Sequence, residues 1–201
     1  MPEQLQRIQQ HFIDSADLKY QAAQALSRPI AAAVQAILAC VTSGGKVLAC
    51  GNGASAAEAQ QFAAFCVAGF ERERPELAAV ALTCDSTLLT AAASGNAAAQ
   101  QFARQVRALG QAGDVLLVLS VTGNDANLLA AAEAAQERGM GVLLLTGCSG
   151  GRLAAMLRET DVLINVPHDR AARVREVHAL VLHCLCDGVD TQLLGEQETL
   201  P

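Results

Sequence analysis

Five short, unbroken apolar runs most constrain what this chain can fold into: KVLAC (46 to 50), AAVALT (78 to 83), DVLLVLS (114 to 120), GVLLLT (141 to 146) and DVLINV (161 to 166), about 20 to 35 residues apart. A strand with one wet face alternates polar and apolar residues, whereas a strand covered on both faces reads as a continuous apolar run. Alanine-rich helical stretches fill the intervals, and a crossover helix between consecutive strands makes them parallel. The expectation is an α/β three-layer sandwich with a five-stranded parallel sheet flanked by helices. An all-helical bundle is the alternative, because a short apolar run also suits a buried helix. The Gly-rich breaks directly after three of the runs favour strands.

Helical periodicity opens and closes the chain. Leu5, Ile8, Phe12 and Ala16 recur at the spacing of one helix face. Arg28-Pro29 is expected to end that helix, and a second one to run to about Cys40 before Ser43-Gly44-Gly45 stops it. A last helix is expected over 171 to 194. The 201 residues suit one domain. With charged residues (17%) scattered throughout and no apolar run near the roughly 20 residues that span a bilayer, no membrane association is expected. The opening MPEQLQRIQQHF lacks the features of a signal peptide, which points to the cytoplasm. Seven cysteines without a CxxC pair read as buried reduced thiols. A net charge of −6 with no basic patch argues against direct nucleic-acid binding.

Three runs end in punctuated turns, CGNGAS, SVTGNDAN and TGCSGG. Ligands of open parallel sheets sit outside the carboxyl ends of the strands, and glycines with a helix N-terminus suit an anion. Ordinary turn and capping chemistry explains any one such corner; three at one edge point to a phosphate pocket that includes Ser55, Ser120 and Thr122. No dinucleotide fingerprint or P-loop is present. Asp125 falls at the expected N-cap of the helix after the third run, where its carboxylate would take the N–H groups an anion needs. Gln60, Gln61, Phe62 and Phe65 occupy the helix after the first corner, and amides and phenyl rings do not move protons. His178 and His183 share the last helix and invite a metal reading, against a plain interface role. His11 and His168 read as surface or loop residues, Cys184 and Cys186 as packing, and Glu71-Arg72-Glu73-Arg74 as a solvated, self-compensating patch. Leu193 and Leu194 are an apolar pair at a helix end, suited to a neighbouring subunit or a partner.

The segments KVLACGNGASAAEAQQFAA, FERERPELAAVAL, QVRALGQAGDVLLVLSVTGN, LLLTGCSGG and RVREVHALVLHCLCDGVD together resemble the sugar isomerase (SIS) domain family, in the group that holds the phosphoheptose isomerases and DiaA, a non-enzymatic protein that binds the replication initiator DnaA. The resemblance covers nearly the whole chain. It implies a flavodoxin-like strand order and a homotetramer with helices 1–43 and 171–194 in the interface. It also implies a phosphosugar site of Asn52, Gly53, Ser55, Ser120, Thr122 and Asp125, the last replacing a serine. The isomerases carry a zinc site of a His and a Glu four residues apart plus a Gln and a His eight apart. Those positions read Gln61, Phe65, Arg175 and His183 here, so only His183 matches, and neither catalytic residues nor a cofactor are expected. The functional expectation is a non-enzymatic adaptor whose Leu193 and Leu194 bind the amino-terminal domain of DnaA at the origin. The alternatives are a phosphoheptose isomerase acting on sedoheptulose 7-phosphate, or a sugar-phosphate sensor.

Overall fold

A computed structural model describes residues 2–93 and 97–195. All five apolar runs are strands: β1 (Val47–Gly51), β2 (Ala79–Ala81), β3 (Val115–Ser120), β4 (Gly141–Thr146) and β5 (Val162–Asn165). They form one sheet in the order β2-β1-β3-β4-β5, and every adjacent pair is parallel. The helices are α1 (Pro2–Thr42), α2 (Ala54–Ala68), α3 (Ser86–Ala93), α4 (Gln101–Leu109), preceded by a 3-10 turn, α5 (Ala126–Glu137), α6 (Gly151–Met156) and α7 (Ala171–Leu194).

Side chains alternate across the pleat, so each central strand feeds two cores. Val47, Ala49, Leu117, Leu119, Leu143 and Leu145 pack under α1, α2 and α7. Leu48, Cys50, Leu116, Val118, Val142 and Leu144 pack under α4, α5 and α6. This two-sided burial is why the runs carry no polar alternation.

The expected break at Pro29 does not occur: α1 is continuous, with Pro29 inside it. An interior proline costs about 3 kcal/mol. Leu18, Ala22 and Leu26 before it and Ala33, Val34 and Ile37 after it are all buried in one core, and burial of each larger side chain is worth about 1.5 to 3 kcal/mol, which outweighs that cost. By length and composition alone α1 would be long and apolar enough to cross a membrane, with an 18-residue window of mean hydropathy 1.5, a test that a core helix also passes. The apolar residues of its second half are used for packing against the sheet and α7.

The Glu71–Arg74 run is only partly the expected solvated patch: Glu71 and Glu73 are exposed, but the Arg74 side chain is not. Arg74 is buried; its Nε donates to Asp190 Oδ1 of α7 at 2.5 Å. Its other nitrogens donate to Phe65 O (2.9 Å) and Cys66 O (2.8 Å), carbonyls at the end of α2 that also accept from Gly69 N and Leu77 N (3.1 and 3.0 Å). One guanidinium therefore ties α2 to α7. At the starts of β1 and β3, Asp114 accepts from the backbone N–H and the ammonium of Lys46 (2.9 and 2.6 Å) and joins the two strands. Removing one member of a buried pair strands the other charge, so Asp190→Ala is expected to destabilise the fold by about 3 to 5 kcal/mol. Chemical denaturation checks this; the double change Arg74→Met with Asp190→Leu is expected to recover most of the loss.

Candidate functional site

β1 and β3 are neighbours whose crossovers leave toward opposite ends of the sheet, so their carboxyl ends flank the crevice where open α/β sheets hold ligands. β1 stops at Gly51, where a Cβ would meet the Ser55 carbonyl at 2.5 Å; glycine lets α2 start tight against the strand. β3 stops at Ser120 and turns into α5. Between these corners lies a cavity of about 320 Å³, large enough for a small ligand. All six residues expected at the phosphosugar site, Asn52, Gly53, Ser55, Ser120, Thr122 and Asp125, line it, with Ala171 and Arg175 contributed by α7.

The third Gly-rich corner, TGCSGG, braces the second instead of lining the cavity. Gly147 N donates to Val121 O (3.0 Å) and Leu153 N to Gly123 O (2.9 Å), while Arg152 N donates to Asn124 Oδ1 (3.1 Å). Gly123 sits at φ 69°, and a Cβ there would collide with the Gly150 carbonyl, so this contact requires glycine. Asp125 does stand at the N-cap of α5, yet its side chain makes no capping bond. It accepts instead from Ser120 Oγ at 2.6 Å, and Ser120 Oγ accepts from Gly123 N at 2.9 Å. The Ser120 hydroxyl is thereby committed to its own loop, and the Asp125 carboxylate takes none of the α5 N–H groups; Leu128 N and Leu129 N donate to its backbone carbonyl instead (3.1 and 3.0 Å). Asn52 and Asn127 exchange reciprocal amide bonds of 3.0 and 2.8 Å, joining the two corners directly.

Three polar groups beside this cavity went unrecognised as a set in the sequence. Glu58 lies one turn beyond Ser55 on α2; its Oε2 is buried without a hydrogen-bond partner. Burial pushes its carboxyl above the usual carboxylate range, opposed by the Ser55 side chain and by Arg175. Arg175 Nε is likewise buried and unbonded. His178 is fully buried, with Nε2 3.1 Å from Thr146 O. A carbonyl only accepts, so Nε2 carries the proton, and Nδ1 faces the interior as an unpartnered acceptor. The signal for Glu58 was its i, i+3 spacing from Ser55, which puts both on one side of α2.

The residues at the family's zinc positions do not form a donor set. Gln61 is exposed. The Phe65 ring packs edge-on to Phe70 and to the His183 imidazole, with centroids 5.0 and 5.7 Å away, and Phe70 lies 5.3 Å from His183. Phenyl rings occupy the surroundings of the one matching ligand, and among the described residues no three His, Cys, Asp or Glu side chains gather to hold a metal. His178 and His183, five residues apart, point to different sides of α7 and do not converge. Phe62 belongs to the core, and Gln60 donates to Thr83 O and Oγ1 (3.3 and 3.2 Å), away from the cavity. The backbone carbonyl of His11 accepts from Arg173 Nη1. His168 Nδ1 accepts from Arg170 N at 2.9 Å, Cys184 is exposed and Cys186 buried.

Burial lowers the His178 pKa to about 4, with Arg175 adding to the effect and the Thr146 carbonyl opposing it. Unfolding releases an ordinary imidazole near 6.5 that takes up a proton below that pH. Stability from His178 is therefore full above about pH 6.5 and lost as pH falls toward 4. Thermal melts between pH 7.5 and 4.5 are expected to show this acid loss, and it is expected to flatten in His178→Gln.

With this geometry established, comparison with known proteins is informative. A family model for the SIS domain matches residues 10–147. The chain is 60% identical over 193 residues to a phosphoheptose isomerase of Methylibium petroleiphilum, covering 96% of each protein. Among solved structures, a phosphoheptose isomerase from Neisseria gonorrhoeae matches with a TM-score of 0.89 and 48% identity, over 93% of this chain and 98% of that one. One from Francisella tularensis matches with a TM-score of 0.90 and 43% identity, over 94% and 98%. These relatives overturn the expectation of a non-enzymatic DnaA-binding adaptor, since proteins alike over their full lengths bear an enzyme's name. The pair Leu193 and Leu194, on which that expectation leaned, closes α7 at 37% and 40% exposure, just before a Gly195 carbonyl held by Arg72 Nη1 at 2.7 Å.

Proposed function

The chain belongs to the SIS domain family, and from that premise we propose that it is a sugar-phosphate isomerase converting sedoheptulose 7-phosphate to D-glycero-D-manno-heptose 7-phosphate. The observation that carries this reading is the cavity at the β1/β3 crevice, which gathers the hydroxyls of Ser55, Ser120 and Thr122 and the cation of Arg175. The names of relatives 43 to 60% identical support the substrate class. The phosphate rests at the Ser55 and Thr122 corner, where hydroxyls and the start of α2 supply donors. Asp125 works against a dianion there, and its bond from Ser120 limits that repulsion.

Ketose-to-aldose isomerisation takes a proton from C1, passes through an enediolate and returns a proton to C2, with no net oxidation. Glu58 is the carboxylate placed to carry that proton, because burial has already raised its proton affinity toward neutrality. The metal positions being occupied by Gln61, Phe65, Arg175 and His183, with Phe65 and Phe70 packed on His183, no step is assigned to zinc. That same aromatic packing favours a second reading, in which the pocket binds a sugar phosphate without turning it over.

Incubation of the purified protein with sedoheptulose 7-phosphate, with and without added zinc, tests the proposal. Formation of the aldoheptose phosphate supports the isomerase. Binding by calorimetry without product in either condition overturns it in favour of the second reading. Glu58→Gln is expected to abolish turnover while retaining substrate affinity, and to leave the fold at neutral pH at least as stable, since burial already disfavours the charged form. The uncovered Leu5, Ile8 and Phe12 on α1 (58%, 47% and 75% exposed) are the surface expected to be shared in a homotetramer. Light scattering is expected to give four times the chain mass, and less for Phe12→Glu.

A further inference from the structure

The isomerase reading leaves a chemical gap. Drawing a proton from C1 places negative charge on the carbonyl oxygen of the sugar, and an uncompensated enediolate in a pocket excluded from water is a high barrier. A divalent metal is one solution, and this chain's residues do not fit it. A permanent cation at the same place is another. Arg175 lies on the wall of the cavity, at the position where the family resemblance gives a metal-binding glutamine. Its Nε is buried without a hydrogen-bond partner, and among the described residues no carboxylate forms an ion pair with it. A guanidinium with open donors, facing a cavity, is poised for an anionic group that the free protein lacks.

Two anionic groups on the substrate compete for it, the phosphate and the nascent oxyanion. Arg175 acts electrostatically on Glu58, the proton carrier, and on His178 deeper in α7, so it stands at the proton-transfer end of the cavity. The hydroxyl corner of Ser55 and Thr122 serves the phosphate. The group beside the base is the one that meets the reacting carbons.

Resting on the isomerase reading, we propose that Arg175 binds the carbonyl oxygen of the sugar and its enediolate form in place of a metal, making this a metal-independent variant of the family's site. The departures at 61, 65 and 175 then belong together. A second positive charge repels a divalent ion, the ring of Phe65 closes the space around His183, and Glu58 takes over proton transfer from the side of α2 that faces Arg175.

The test compares wild type, Arg175→Gln and Arg175→Lys in chelator-treated buffer, with thermal melts confirming that each is folded. Turnover of sedoheptulose 7-phosphate is expected to persist in chelator, to fall about 100-fold in kcat with little change in KM in Arg175→Gln, and to recover in part with lysine. A KM rise at unchanged kcat would assign Arg175 to the phosphate and overturn the proposal, as would zinc-dependent turnover that survives Arg175→Gln; both leave the isomerase reading standing. A binding arm decides the matter if no turnover is seen. A phosphorylated aldonohydroxamate, whose planar anion resembles the enediolate, is expected to bind Arg175→Gln at least about tenfold more weakly than wild type, while inorganic phosphate binds both alike. Equal hydroxamate affinity overturns the role of Arg175, whatever becomes of the isomerase.

Discussion

The buried bond between Arg74 and Asp190 is the interaction on which the architecture of the site depends. Every polar group argued to matter chemically comes from α2 or α7, apart from those at the end of β3, and these two helices are remote in sequence. Arg74 holds them in register by pairing with Asp190 while donating to the carbonyls of Phe65 and Cys66 at the end of α2. Such a pair contributes modestly to net stability, because two charges have left water to form it. Its value is positional: α2 cannot slide along α7 without separating two buried charges.

On that frame the cavity has a polarised interior. One side, built by Ser55, Ser120, Thr122 and the loop glycines, offers neutral donors with one carboxylate already bonded to its neighbour. The other side presents Arg175, with the half-buried Glu58 within its electrostatic reach and His178 kept neutral nearby. Further along α2 and α7, Phe65, Phe70 and His183 form a half-buried aromatic cluster.

How much was readable without coordinates divides along physical lines. The five strands were legible because burial on both faces writes itself as an unbroken apolar run, and Ser55, Ser120 and Thr122 were legible because strand ends and turn glycines mark the ligand edge of such a sheet, while Asn52, Gly53 and Asp125 came only from the family resemblance. What failed had its cause far along the chain. Pro29 signals a helix end by its local chemistry, but packing on both sides of it overrides that signal. Arg74 looked solvated among alternating charges because its partner lies 116 residues away. Glu58 was passed over for positions 61 and 65, since its raised proton affinity arises from burial, which no spacing reveals.

The bracing of one ligand loop by another fixes where the protein can yield. Gly123 is pressed against the backbone of Gly150, and backbone bonds from Gly147 and Leu153 clamp the same segment from below. Accommodation of a longer or shorter sugar must therefore come from the α7 wall, to which Ala171 and Arg175 belong. Selectivity among sugar phosphates then becomes a matter of how that wall yields, with the braced loops acting as a ruler of constant length.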